Sequence, residues 1–327
     1  MSLARALCAL LLALHVGACA KRHKPPAAPV QANVAPEPAP RPGMCFVPRD
    51  PNTYAYPVRP HDWLSVLTRL ELGRGGVYAT RDCTGSVIKY TQPRNCSAPR
   101  NEPAPVLSPM AEEAVIVRDL GSNIFVVWVV THRFQDGDGY GPIALARRQR
   151  DGIEIAAMGM LRMRTQRVKL ESFSLKGQNL IIATGETCRR GASDQSCERS
   201  SRVVLGNGAQ LIDAPVVDPE GRCLQDGNFE LARQEQRVLP SGLTRSFQYT
   251  ANVTHDAKYV VVEERLLVRD LDANGQGAPA REVQRIETNR LFEPTQGRLI
   301  TRQNSLWSKA IDRARELPGG SQRSMRP

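Results

Sequence analysis

Two aspartate-rich loops, one run of arginines and a set of cysteines are the residues whose types and spacing could do chemistry in this chain of 327 residues. Asp270-Leu271-Asp272-Ala273-Asn274-Gly275 matches the first half of a calcium loop, in which Asp270, Asp272 and Asn274 would converge on a hard cation and glycine permits the sharp turn. The second half departs from that pattern, with Gly277 at the aliphatic position and Arg281 where a bidentate Glu belongs. Asp136-Gly137-Asp138-Gly139 is a poorer echo of the same half-motif. Since Asp, Asn and Gly also build ordinary hairpin loops, the expectation is of no cofactor, with calcium at the first loop as the exception to test.

The arginines flank a turn dipeptide. Arg147, Arg148 and Arg150 stand before or at Asp151-Gly152, and Arg162, Arg164 and Arg167 follow it. A hairpin turning there is expected to set the two groups side by side, which costs stability unless something anionic answers them. Acidic glycan, lipid phosphate or a partner's carboxylates fit that role. The plainer reading has alternate residues facing apart, paired with Asp151, Glu154 and Glu171.

Catalytic signatures are absent: there is no G-x-S-x-G, H-E-x-x-H, Walker loop or S-x-x-K. Beyond residue 43 the histidines are His61, His132 and His255, and His132, near Asp136 and Asp138, is the best candidate base. Glu263 and Glu264 are adjacent on a strand, so they point to opposite faces and cannot share a substrate. Gly73-Arg74-Gly75-Gly76 is too short, and lacks the Lys, for phosphate binding; it reads as a turn.

Six cysteines, Cys45, Cys83, Cys96, Cys188, Cys197 and Cys223, lie beyond residue 43 with no C-x-x-C among them. That spacing argues against zinc and for disulfides. Proximity favours Cys83 with Cys96 and Cys188 with Cys197, leaving Cys45 to meet Cys223.

The elements that must hold these residues are mostly strands. A helix is expected over His61 to Leu72, with Asp62 as N-cap, Trp63, Val66, Leu67 and Leu70 on one face and Gly73 ending it. A second is expected from Leu306 to Leu317, before Pro318-Gly319-Gly320. Between them, Leu243 to Val253 alternates with Phe247, Tyr249, Ala251 and Val253 inward, and Tyr259 to Arg269 returns as its hairpin partner. Ile124 to Val130 is apolar throughout, as a central strand should be. Ile143 to Arg150 and Ile153 to Arg164 flank Asp151-Gly152, a tight primed turn; Leu170 to Leu175 and Leu180 to Thr184 flank Lys176-Gly177 in the same way. The expected fold is mainly β: a long-stranded, twisted antiparallel sheet, an open barrel or sandwich, with one or two flanking helices. An irregular β-propeller is the alternative.

The chain begins with Met1 to Arg5, a short positive leader, and Ala6 to Val16, an apolar run too short to span a bilayer. The residues that close it, Val16-Gly17-Ala18-Cys19, resemble the lipobox of bacterial lipoproteins. That resemblance implies that residues 1–18 are a removed signal peptide, that Cys19 carries the lipid anchor, and that Ala20, in place of a retaining Asp, directs the protein to the outer membrane. Two or more acyl chains anchor stably. The competing reading is cleavage after Ala18-Cys19-Ala20, releasing a soluble protein. Residues 19–43 then form a Pro/Ala-rich stalk, 44–317 a single β-rich domain and 318–327 a tail. At about 3.1 Å per residue the stalk would reach roughly 60 to 70 Å.

The net charge of +11 is concentrated at the ends. Between residues 44 and 301 there are 33 basic and 30 acidic groups, no excess with which to neutralise phosphates, so nucleic acid is excluded as a partner. The expected partners are a membrane through the N-terminal lipid, then envelope glycan, anionic lipid or another envelope protein. The role this sequence favours is a non-catalytic binding or structural module of the envelope. A periplasmic or surface hydrolase acting on glycan or peptide is the alternative, and a lipid carrier the third.

Overall fold

Strands of ten residues or more dominate the chain, and their length sets the architecture, because long twisted strands in a wide sheet must curl or stack. A computed structural model describes residues 45–48, 59–60, 62–91, 103–188, 197–239, 242–271 and 281–316, all in the compact unit Pro40–Pro327. It opens with β1 (Phe46–Pro48) and the helix α1 (Asp62–Leu67), which runs directly into the hairpin of β2 (Thr68–Gly73) and β3 (Gly76–Asp82). Next come β4 (Val106–Leu107), β5 (Val115–Asp119), β6 (Ile124–Val129) and β7 (His132–Arg133). Four long strands follow: β8 (Asp138–Arg148), β9 (Gly152–Arg164), β10 (Gln166–Leu175) and β11 (Gln178–Cys188). Then β12 (Cys197–Asn207), β13 (Gln210–Asp213), β14 (Val216–Val217), β15 (Cys223–Gln225) and β16 (Asn228–Glu230) lead into the second half. That half holds β17 (Ala232–Val238), β18 (Thr244–His255), β19 (Val260–Leu271), β20 (Arg281–Thr295), β21 (Arg298–Ile300) and the helix α2 (Leu306–Glu316).

The first sheet runs β10-β11-β12-β13-β9-β8-β6-β5, with β1, β4, β7 and β16 at its margins. Its end strands β5 and β10 come into contact without exchanging a ladder, so the sheet is curled and open. Alternate residues of β6, β8, β11 and β12 fill the curl: Val126, Trp128, Ile143, Leu145, Ile181 and Val204 belong to one core. The residues between them face outward. On one side Val127, Val129, Ala144 and Ala146 meet Trp63 and Leu67 of α1. On the other Leu180, Ile182, Val203 and Leu205 pack against the second sheet, through Val260, Val262, Phe292 and Leu299. A bulge between Leu145↔Ala157 and Ala146↔Ile155 turns β9 over. Ile153 and Ile155 therefore lie in the outer layer while Ala157, Leu161 and Met163 face the inner core, although all five are odd-numbered.

The second sheet runs β15-β14-β21-β20-β19-β18-β17, with Phe247, Tyr249 and Val253 of β18 buried as their alternation predicts. Its other anchor is polar. Glu264 is wholly buried and accepts hydrogen bonds from Tyr249 Oη at 2.9 Å, Arg290 Nη1 at 3.1 Å and the backbone N–H of Leu306 at 2.9 Å. One carboxylate thus joins three strands and satisfies an orphan N–H at the start of α2.

Several expectations give way to long-range pairing. The first helix ends at Leu67, where the Thr68 hydroxyl takes the Leu64 carbonyl at 2.6 Å; the chain then extends because Gly75 and Gly76, at φ +91° and +152°, let it fold back onto β3. The sheets are mixed rather than antiparallel throughout, since β13 pairs parallel with β9 and β14 with β21. At the first of these, a Cβ on Gly159 would lie 1.9 Å from the Leu211 carbonyl oxygen, so only glycine admits the approach. The 12- and 7-stranded sheets rule out the repeating blades of a propeller. Lys176-Gly177 turns with both φ angles positive, as a primed turn requires. The β8–β9 turn instead centres on Arg150-Asp151, at ordinary negative φ.

The disulfides divide the same way. Cys188 is bonded to Cys197 across the β11–β12 pair, as spacing suggested. Cys45 is bonded to Cys83, in place of the expected Cys83–Cys96 and Cys45–Cys223 pairs. Backbone hydrogen bonds explain it: the Cys45 carbonyl receives Ile155 N–H at the margin of β9, and Cys83 N–H donates to Leu67 at the end of α1, which brings the two sulfurs together. Cys223 is also disulfide-bonded, and Cys96 lies outside the described residues. A bridge across 38 residues contributes about 4 kcal/mol by loop entropy.

Arg290→Met strands the Glu264 carboxylate in the core. It is expected to lower the unfolding free energy by about 3–5 kcal/mol in urea titrations. Adding Glu264→Gln should recover part of that loss, since it removes the buried charge: the amide oxygen can still accept the Leu306 N–H, and the amide NH2 then faces the Tyr249 hydroxyl, which can turn to accept it. Equal midpoints for wild type and Arg290→Met would contradict this account.

Candidate functional site

The strand ends of the curled sheet and the edge of the second sheet enclose a cavity of about 960 Å³. Its walls come from β8, β9, β12, β13, β16, β17 and β18 and from the loop before β8. A space of this size holds a ligand of two or three rings.

Arg162 and Arg164, two apart on β9, point the same way into the wall. Opposite them the ladder sets Tyr140 and Asp138. Arg162 gives Nε to Asp138 at 3.0 Å and Nη2 to Asp136 at 2.9 Å, and its guanidinium lies 3.7 Å from the centre of the Phe134 ring. Arg164 reaches Asp138 at 3.1 Å and Glu198 at 2.7 Å. Burial pushes the Asp138 carboxyl above its usual range, with Arg164 and Arg162 pulling against that shift. Arg202 pairs with Asp213, and Arg233 with Glu230. The wall is therefore rigid and largely self-neutralised.

Several lining side chains differ. Four among them, Arg199, Asp226, Asn228 and Gln248, have no side-chain hydrogen bond or ion pair among the described residues. Gly227 positions two of them: a Cβ there would lie 2.3 Å from the Ala214 carbonyl oxygen, so its glycine lets β16 close against the β13–β14 link and leaves Asp226 and Asn228 at the cavity. A guanidinium, a carboxylate and two amides, all planar and unspent, suit paired hydrogen bonds to vicinal hydroxyls or to a carboxylate.

The same inventory bears on the two-carboxylate route to glycoside cleavage. Glycoside cleavage needs two carboxyls free to act as acid and as base or nucleophile. Among the described lining carboxylates, Asp136, Asp138, Glu198, Asp213 and Glu230 are committed to arginines, and Asp226 stands alone. His132 is no better as a base. Its Nδ1 sits 2.8 Å from the Thr131 hydroxyl and its ring meets Tyr140 edge-on at 6.0 Å, while Asp136 and Asp138 serve Arg162. Burial lowers its pKa.

The sequence-predicted sites fare unevenly. The six arginines do not form a patch, because hairpin register puts Arg147 opposite Glu154 at one end and Arg164 opposite Asp138 at the other. Arg147 lies 4.0 Å from Glu154, Arg148 stacks on Phe125 at 5.0 Å, Arg150 is exposed in the turn and Arg167 pairs with Glu186 at 2.8 Å. Only Arg162 and Arg164 reach the cavity. Of the calcium loop, Asp270 is taken by a two-pronged pair with Arg245, at 2.7 and 3.1 Å, and Asp272 and Asn274 lie outside the described residues, as does Cys19. Glu186, Cys188 and Cys197 cluster as metal ligands might, but the two sulfurs are bonded to each other and Glu186 holds Arg167. The unspent quartet went unread because it is gathered from separate strands; Asp226-Gly227-Asn228 was its one local signal.

No family model, curated protein or solved structure matches this chain.

His132 should titrate below the same residue in the urea-unfolded chain when followed by NMR. Its native pKa being depressed, the unfolded chain takes up the proton first, so the His132 contribution to stability is full above about pH 6.5 and is lost below it. Thermal midpoints falling between about pH 7.5 and about pH 5.5, and falling less in His132→Gln, check the sign.

Proposed function

We propose that this chain is a non-catalytic binding module of the bacterial cell envelope, anchored through lipid on Cys19 and taking an envelope glycan in the cavity between its two sheets. The observation that carries the ligand class is the contrast within one wall. Most charges are paired and hold shape, whereas Arg199, Asp226, Asn228 and Gln248 are left to meet hydroxyl and carboxylate groups. Polysaccharide offers those groups in repeating, rigid arrays, and planar polar side chains engage them two bonds at a time. The anchor rests on the Val16-Gly17-Ala18-Cys19 resemblance, and Ala20 favours the outer membrane.

Palmitate labelling tests the anchor. Label should enter the wild-type chain, be blocked in processing by globomycin and vanish in Cys19→Ser; labelling of Cys19→Ser would overturn the assignment. Retention on isolated cell-wall glycan tests the site separately. Asp226→Ala and Asn228→Ala are each expected to weaken binding about tenfold, the equivalent of about 1.4 kcal/mol. Unchanged retention in both variants, or release of free reducing ends by the wild type, would overturn the binding-module reading.

A further inference from the structure

We infer that the β2–β3 hairpin is a second membrane contact, setting its tip into the headgroup layer of an anionic bilayer. Leu72, one residue before the end of β2, is 87% exposed and Leu70 stands at 43%; the ladder places Leu72 opposite Val77, itself 39% exposed, so three apolar side chains share one face. Val87, bridged to Arg81 and 59% exposed, adds an apolar side chain on the opposite face, beside Arg69 and Arg81. Ala79, the partner of Leu70 on this face, is fully buried, so the face is covered at its base and opens toward the tip, where Leu72 is the most exposed.

Cations frame the apolar face. Arg69, Arg74, Arg81 and Lys89 are exposed and none pairs with a carboxylate among the described residues. Arg69 and Arg81 are direct partners in the ladder, an arrangement that like charges disfavour unless an anion lies against them. Arg81 otherwise spends one Nη1 bond on the Gly85 carbonyl at 3.0 Å. The acidic residues do not answer them: Asp82 is buried and turned onto Thr84 and Ser86, leaving Glu71 alone at the surface. Leu70 and Leu72 lie between Arg69 and Arg81 on the base side and Arg74 in the turn, so apolar and cationic groups reach an interface together, as the headgroup layer of an anionic bilayer requires. A phosphate layer satisfies unpaired guanidiniums and admits exposed leucines together, which an apolar protein groove does not.

The course of the chain agrees. Cys45 is bonded to Cys83, one residue past β3, so the base of this hairpin is tied covalently to the N-terminal side of the domain. The contact does not depend on what the N-terminus carries.

The test keeps the full chain on vesicles of phosphatidylethanolamine and phosphatidylglycerol with brominated acyl chains. Fluorescence of a Leu72→Trp variant, after subtraction of the wild-type signal, is expected to be blue-shifted and quenched several-fold more than that of Val238→Trp, an exposed control on β17. Adding Arg69→Glu, Arg74→Glu and Arg81→Glu to Leu72→Trp, with the fold checked by circular dichroism, should abolish the excess quenching. The inference is overturned if both tryptophan positions are quenched equally, if neither is quenched while the protein is vesicle-bound, or if phosphatidylcholine vesicles give the same result.

Discussion

The β11–β12 pair must be buried on both faces at once, and the architecture depends on that constraint. Ile181, Ala183 and Val204 belong to the core inside the curled sheet, while Leu180, Ile182, Val203 and Leu205 belong to the core shared with the second sheet. Strands of this kind cannot sit at a solvent face, so the first sheet has to wrap one side and the second sheet has to cover the other. Helix α2 is then fixed by polar means, since the buried Glu264 carboxylate receives its first N–H and two side-chain donors together. An unpaired charge there would be costly, which makes the attachment specific.

Where the two sheets part, at the ends of β9 and β12, their strand termini cannot interdigitate, and the cavity is what remains. The ion pairs of Arg162, Arg164 and Arg202 do there what apolar packing does elsewhere. They hold a polar wall in one shape, and because each arginine meets its carboxylate within the wall, the surface is nearly neutral. On the proposed reading, recognition falls to the groups outside those pairs.

What the sequence disclosed was local. The alternation in Phe247, Tyr249 and Val253, the all-apolar run beginning at Ile124, the Lys176-Gly177 turn and the Cys188–Cys197 bridge each span a short stretch whose geometry its own residues dictate. What it concealed was set by distant partners. The β9 bulge moves Ile153 and Ile155 to a different layer from Ala157, though a strict period of two would unite them. Parallel pairing of β13 with β9 has no local signature, and neither has the Cys45–Cys83 bond. Leu70 completes a helical period after Leu67, yet β3 supplies a ladder that the helix cannot offer. The arginines read as a cluster because a hairpin was legible there and its register was not, and the cavity quartet joins Asp226 and Asn228 to Arg199 and Gln248, which lie far from them in the chain.

The covalent link between Cys45 and Cys83 also has a mechanical meaning. Tension arriving along the chain ahead of Cys45 divides there. Part could run on into β1, whose three-residue ladder with β9 would unzip under small load. The sulfur bond gives it a stiffer route, into the junction of α1 and β2, where Trp63 and Leu67 are locked in a core. A pull on the N-terminal side is thus borne by a covalent bond and spread over a packed layer, rather than peeling the sheet one hydrogen bond at a time.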